Sequence, residues 1–258
     1  MSYGFGNTFD KILPRLGGTF NKSYCSYYLN GTDGYLQGTT NTSALVSGTG
    51  KTWSVRIIFK RLRSSIANTE YLLANFEPDS NRRSWQMNLR PDNTLQVNFS
   101  SDGISSDGRY TFDNIFDDTT DFYEVIFTYD NATITAYVNG VVDSGTIDLP
   151  IPTTVYSNGL PTLYGTGRLL TTPTPLQGYI NQVAWTNDVI TSTEAATLNN
   201  SGSPRIASDV LDNMVQQYVF DNDTFDGTNW TLLDSVSTNN GVSVNLDAVD
   251  KDCNENPY

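Results

Sequence analysis

The stretch Phe122-Tyr123-Glu124-Val125-Ile126-Phe127-Thr128-Tyr129-Asp130-Asn131-Ala132-Thr133-Ile134-Thr135-Ala136-Tyr137-Val138-Asn139-Gly140 holds two runs of aromatic and β-branched residues, 122–129 and 134–139. Such residues fit a pleated, half-buried surface. Asp130-Asn131 separates the runs, and Asn139-Gly140 closes the second with two residues that tolerate the positive φ of a tight turn. Upstream, Trp53 to Leu62 reads W-S-V-R-I-I-F-K-R-L and places Trp53, Val55, Ile57 and Phe59 on one face at period 2.

Further strands are expected at Tyr24–Leu29, Tyr35–Gln37, Tyr71–Phe76, Ser84–Arg90, Leu95–Phe99, Leu163–Gly165 and Gly178–Trp185, divided by Asp-Asn, Asp-Gly and Asn-Gly turn signals. Many short strands at this spacing predict an all-β fold, an antiparallel two-sheet jelly-roll sandwich. A short helix is expected at Thr193–Leu198. A second, at Ser208–Gln217, has Val210, Leu211, Met214 and Val215 at helical spacing. Three parts follow: an irregular Gly-containing arm over 1–20, the sandwich over 21–200, and an acidic extension over 201–258.

Composition narrows the chemistry. The chain has 258 residues and no histidine, which removes Ser-His-Asp and Cys-His nucleophile systems and His-ligated zinc. The formal net charge of −13 argues against a nucleic-acid partner. It is unevenly spread, with 11 basic and 5 acidic residues in 1–90 against 4 and 23 in 91–258. No run of about 18 apolar residues is present to span a bilayer, and Met1–Asp10 lacks the layout of a secretion signal. Cys25 and Cys253 stand near opposite ends; two free thiols in a reducing compartment is the favoured expectation, a bond joining them the alternative.

Three motifs resemble a laminin G-like domain of the concanavalin A-like type. Ser26-Tyr27-Tyr28-Leu29-Asn30-Gly31-Thr32-Asp33-Gly34-Tyr35-Leu36 is similar to its opening strand and turn, with Asn30 where Asp is usual. Tyr123–Asp130 followed by Tyr137-Val138-Asn139-Gly140 is similar to its central hairpin. Gly178-Tyr179-Ile180-Asn181-Gln182-Val183 is similar to its closing strand, with Asn181 and Gln182 in place of two acids. The resemblance implies a ligand surface on the rim loops or the concave sheet, and calcium as the ion such domains most often hold. It does not imply one function. The end of the chain, Phe225-Asp226-Gly227-Thr228-Asn229-Trp230-Thr231 with Asn239-Asn240-Gly241-Val242-Ser243-Val244-Asn245, resembles the ends of tailed-phage virion proteins that carry such sandwiches.

For a glycan, Trp85 with Arg82, Arg83 and Gln86 offers a flat ring among polar neighbours, although core packing is the competing role for that ring. Trp53 and Trp185 read as core. For calcium, Asp113, Asp117 and Asp118 form the densest oxygen-rich stretch, with Asp221, Asp223 and Asp226 a second; acidic turns that solvate their connections are the alternative. Lys51, Arg56, Lys60, Arg61 and Arg63 read as the solvated face of an edge strand. Catalysis by paired carboxylates finds no E-x-D-x-E pattern, and the nearest pair, Asp121 and Glu124, is expected to point to opposite faces.

The expectation that joins these readings is a non-catalytic virion surface protein, a capsid decoration or fibre-type component. Its sandwich would stabilise the particle or bind host or environmental glycans. Residues 1–20 and 203–258 would contact other virion subunits, and the protein would form a homo-oligomer. The alternatives are a free-standing extracellular carbohydrate-binding or adhesion module and, third, a glycoside hydrolase of the same fold.

Overall fold

Alternating apolar and polar residues build two sheets, seen in a computed structural model that describes residues 25–167, 175–254 and 257. The first strands in chain order are β1 (Ser26–Asn30), β2 (Tyr35–Gln37), β3 (Gly48–Thr49), β4 (Thr52–Arg61), β5 (Glu70–Glu77), β6 (Arg82–Leu89) and β7 (Thr94–Phe99). Then come β8 (Gly108–Ile115), β9 (Tyr123–Asp130), β10 (Thr133–Val138), β11 (Val141–Asp143), β12 (Thr146–Leu149), β13 (Thr154–Val155), β14 (Leu163–Tyr164) and β15 (Gln177–Thr186). The chain ends with β16 (Met214–Tyr218), β17 (Thr224–Phe225), β18 (Trp230–Leu232), β19 (Gly241–Val244) and β20 (Lys251–Asp252). Two helices, α1 (Asn41–Val46) and α2 (Ser192–Asn199), are short. Among the described residues no helix is long and apolar enough to cross a membrane.

An eight-stranded sheet runs β11-β10-β9-β4-β15-β1-β20 with β16 also on β15, and a ten-stranded sheet runs β12-β8-β7-β6-β5-β14-β2-β19-β18-β17. The expected alternation holds: Trp53, Val55, Ile57 and Phe59 of β4 face Trp85, Met87 and Leu89 of β6 and Leu95, Val97 and Phe99 of β7 across one continuous core. The Asn139-Gly140 turn joins β10 to β11 with both residues at positive φ, 50° and 77°.

The outer face of the eight-stranded sheet is also covered. α2 and the chain after it lie over β4, β9 and β15, closing a second cluster that includes Ile126, Ala184, Ala195, Leu198 and Leu211. A capping box starts α2, in which Thr191 accepts from the Glu194 backbone N–H and Glu194 Oε2 accepts from the Thr191 N–H. The basic residues of β4 therefore do not form a solvated edge. β4 is central, between β9 and β15, and Arg56 and Arg61 are fully buried. Arg56 pairs with Glu124 at 2.5 Å and donates to Gln182 Oε1 and to the carbonyls of Arg205 and Leu198. These partners compensate a charge that could not otherwise be held there.

The C-terminal quarter differs most from expectation. The helix expected at Ser208–Gln217 is replaced by one 3₁₀ turn, Ala207–Asp209, and then by β16. The open half of the β15 edge, Val183–Thr186, supplies ladder partners that outweigh the helical spacing. β19 pairs with β2, and β20 with β1. Residues 201–258 are thus not an extension outside the sandwich but contribute strands to both sheets. The expected arm at 1–20 lies outside the described residues.

Pairing of β20 with β1 also sets Cys253 beside Cys25, and the two form a disulfide with a Cα–Cα distance of 3.9 Å. Free thiols are thereby overturned, since the partners are 228 residues apart in sequence and adjacent in the sheet. Next to this bond the Tyr27 hydroxyl donates to Asp223 Oδ2 at 3.0 Å and the Leu233 N–H donates to Oδ1 at 2.7 Å. Burial pushes the Asp223 carboxyl up to about 6, against the pull of the Leu233 N–H.

Two predictions follow from this corner. The double substitution Cys25→Ala, Cys253→Ala frees a 228-residue loop and is expected to lower stability by about 2–5 kcal/mol. Urea denaturation of both forms measures it, and an unchanged midpoint would refute the cross-link. Because the folded state favours protonated Asp223, this group's contribution to stability falls as pH rises from about 4 to about 6. The stability difference between wild type and Asp223→Asn should therefore move in favour of the variant across that window. A difference that does not vary with pH would contradict it.

Candidate functional site

Period 2 also decides what the ten-stranded sheet shows to the outside. Trp85, Met87 and Leu89 point inward, so Gln86 and Asn88 of β6 point outward. On β7 the outward residues are Gln96 and Asn98; on β8 they are Arg109 and Thr111. Register brings these into two cross-strand rows. Gln86, Asn98 and Arg109 stand opposite one another, and beside them Tyr71, Asn88, Gln96 and Thr111 do the same.

The rows are linked by their own hydrogen bonds. Arg109 Nε donates to Asn98 Oδ1 at 2.9 Å, Gln96 Nε2 donates to Thr111 Oγ1 at 2.9 Å, and Arg90 donates to Gln96 Oε1 at 3.2 Å. Thr111 in turn donates to Asp148 on β12's side of the face. The four amides are only 4–8% exposed, so they form a floor whose edges alone reach solvent. Among the described residues, Gln86 Oε1 is buried with no hydrogen-bond partner. Arg109 uses only Nε, which leaves the fork of its guanidinium to a ligand. Tyr71 supplies a ring at the margin, with Gly167 so close that a Cβ there would lie 2.2 Å from it.

The quartet expected for a glycan is divided by this geometry. Trp85 is fully buried, 5.4 Å from the rings of both Trp53 and Trp185, and its ring is core rather than surface. Arg82 and Arg83 clamp loops at the start of β6, donating to the carbonyls of Asn158 and Ile104. Gln86 alone belongs to the polar floor. Its partners Asn98 and Arg109 were not legible from sequence, because they come from other strands and only the register joins them.

The structure does not assemble Asp113, Asp117 and Asp118. Asp113 accepts from Ser144 Oγ, while Asp118 accepts from Thr120 N–H and Oγ1, bonds that hold its carboxyl below the usual range. Of the second stretch, Asp221 accepts from the Cys25 N–H and Asp226 from the backbone of its own turn. Among the described residues no three acidic or thiol side chains converge to hold a metal. The carboxylate that ties the β8 end together is Asp143, which accepts from Tyr110 and from the N–H groups of Asp113, Asn114 and Gly145. Asp121 and Glu124, expected on opposite faces, line one cavity instead. Asp121 precedes the first residue of β9, so strand alternation does not govern it.

The family model described as the concanavalin A-like lectin/glucanases superfamily matches residues 30–196. Among curated proteins none matches the chain by sequence. A candidate carbohydrate binding protein from Bacteroides ovatus superposes with a TM-score of 0.60 at 14% identity, covering 85% of this chain and 57% of that one. The chain therefore spans little more than half the length of that protein. The Ruminococcus gnavus IT-sialidase CBM40 bound to alpha2,3 sialyllactose gives 0.49 at 12% identity, over 69% of this chain and 98% of its own. A heptameric SAP-like pentraxin from Limulus polyphemus gives 0.48 at 12%, over 69% and 82%. At 14% identity the superposition on the Bacteroides ovatus protein speaks to the fold alone, and the family match covers well over half of the sequence: the chain belongs to the concanavalin A-like lectin/glucanases superfamily.

Proposed function

We propose that this protein is a carbohydrate-binding module that holds a glycan on the outer face of its ten-stranded sheet without cleaving it. The observation that carries the proposal is the pair of cross-strand rows, in which Gln86, Asn88, Asn98 and Arg109 present amide and guanidinium edges side by side. Sugar hydroxyls both donate and accept, and planar amides match that pattern with little loss of side-chain freedom, because the strands already hold them. The similarity to a candidate carbohydrate binding protein points the same way.

Binding without cleavage is supported by how the carboxylates of this face are used. Asp148 accepts from Thr111, and Asp92 accepts from Thr94 N–H and Oγ1, bonds that hold the Asp92 carboxyl low and unsuited to proton donation. Calcium has no part in the proposal. The setting proposed is outside the reducing cytoplasm, at a virion surface or in the extracellular space, where a Cys25–Cys253 bond persists. Attachment to other subunits through 203–258 is left out of it, because those strands are committed to the two sheets.

A glycan array followed by calorimetry on the best oligosaccharide tests the function. The double variant Gln86→Ala, Asn98→Ala removes two hydrogen-bonding side chains worth about 1 kcal/mol each, and affinity is expected to fall tenfold or more while the melting temperature stays within a few degrees. Binding should survive EDTA, and no reducing ends should accumulate. An array without hits, or unchanged affinity in the variant, would refute the proposal; released reducing sugar would replace binding by hydrolysis.

A further inference from the structure

The row that reads Ala74, Gln86, Asn98 and Arg109 across β5, β6, β7 and β8 carries a single charge, that of Arg109. Nε of its guanidinium is spent on Asn98 Oδ1 at 2.9 Å. Nη1 and Nη2 make no hydrogen bond among the described residues, and neither is shut off from solvent. Arg109 itself is half-buried. The fork is thus open at the surface of the row, while the stem and Nε are held.

Other arginines of this sheet already have an acid. Arg82 lies 3.6 Å from Glu77, and Arg90 lies 4.0 Å from Asp92. Among the described residues no carboxylate comes within 4.0 Å of Arg109. The acids two positions before it and on the neighbouring strand β12 are engaged elsewhere: Asp107 accepts from Ser101 N–H and Oγ, and Asp148 accepts from Thr111 Oγ1. A guanidinium fork in this state is matched by a carboxylate, whose two coplanar oxygens accept both N–H groups in parallel. A hydroxyl offers one oxygen to that pair of donors. Asp107, Asp148 and the net charge of −13 limit how many such acids the chain can meet. A glycan with an acid on every sugar would bring further carboxylates against them, whereas an isolated acid between neutral sugars does not.

We infer that the floor selects acidic glycans in which neutral sugars separate the acids, and that Arg109 is the residue that determines this, holding the carboxylate of one uronic acid in its fork. The inference rests on the carbohydrate-binding reading above and adds the class of glycan to it. Neighbouring strands lie about 4.8 Å apart, so Gln86 and Arg109, with β7 between them, stand about 10 Å apart along the row. That span leaves room for the acid on Arg109 and for an adjoining neutral sugar over Asn98 and Gln86.

Calorimetry on the full chain tests it with a hyaluronan hexasaccharide and a glucuronoxylan oligosaccharide, each beside its methyl ester, which keeps the shape and loses the charge. Xylohexaose serves as the neutral chain and heparin as the dense polyanion. At least one of the two acids should bind the wild-type chain, and esterification should weaken it tenfold or more. In Arg109→Gln, which keeps a donor for Asn98, the ratio of acid to ester affinity should fall to about one. Binding of neither acid, an ester that binds as well as its acid, a ratio that survives Arg109→Gln, or tighter binding of heparin would each overturn the inference. Tightest binding of xylohexaose, lost in Gln86→Ala, Asn98→Ala, would overturn it while upholding the floor as a glycan site. No binding of any glycan, here or on the array, would overturn both.

Discussion

Trp53, Trp85 and Trp185 meet between the two sheets with ring centroids 5.4–5.8 Å apart, and none is exposed. Burying an indole removes about 150–250 Å² from water, worth roughly 4–6 kcal/mol each. This contact fixes which way each of β4, β6 and β15 faces. A slip of one residue on β6 would bring Trp85 to the surface and drive Gln86 and Asn88 into the core, so that alternative is excluded by a wide margin. The polar floor of the ten-stranded sheet is therefore set by the tryptophans beneath it. Its amides face outward because the indoles cannot.

The two sheets treat their outer faces differently. On the ten-stranded sheet the outward residues are amides, a hydroxyl and guanidiniums that satisfy one another and leave edges free. On the eight-stranded sheet α2 and its continuation add an apolar layer, and the outward residues of β4 become interior. Arg56 is then compensated by Glu124, Gln182 and two carbonyls, and loss of a partner from such a buried pair costs about 3–5 kcal/mol. Because Arg56 and Arg61 are both buried, the excess of basic residues in the first 90 positions does not become a basic surface of equal strength.

Most of the sandwich was legible in the sequence because its long strands carry their own pattern. Trp53, Val55, Ile57 and Phe59 recur at period 2, and the 122–140 stretch ends in a turn whose φ values only such residues take up readily. The site was legible in one residue of four. Gln86 stood out by its neighbours, but the residues that work with it lie 12 and 23 positions further on and meet it through register alone. Trp85 was ambiguous for the same reason: a ring flanked by polar residues on a strand is equally a core ring with outward neighbours. Arg56 was misplaced because a charged residue at period 2 looks solvated until the helix above it is known.

The end of the chain was unreadable for a further physical reason. β17 to β20 are only two to four residues long, so none carries a period long enough to detect. The last two of them pair with strands more than 200 residues away, β19 with β2 and β20 with β1. These pairings also solve a problem that the family-like region 30–196 leaves open. Without them β2 would be a bare edge beside the core, able to pair with another chain. With them the ten-stranded sheet ends in the two-residue strand β17, and the Cys25–Cys253 bond holds the closing strand of the other sheet to β1. The C-terminal quarter thus works as an intramolecular cover for one edge of each sheet, while β11 and β12 form the opposite edges.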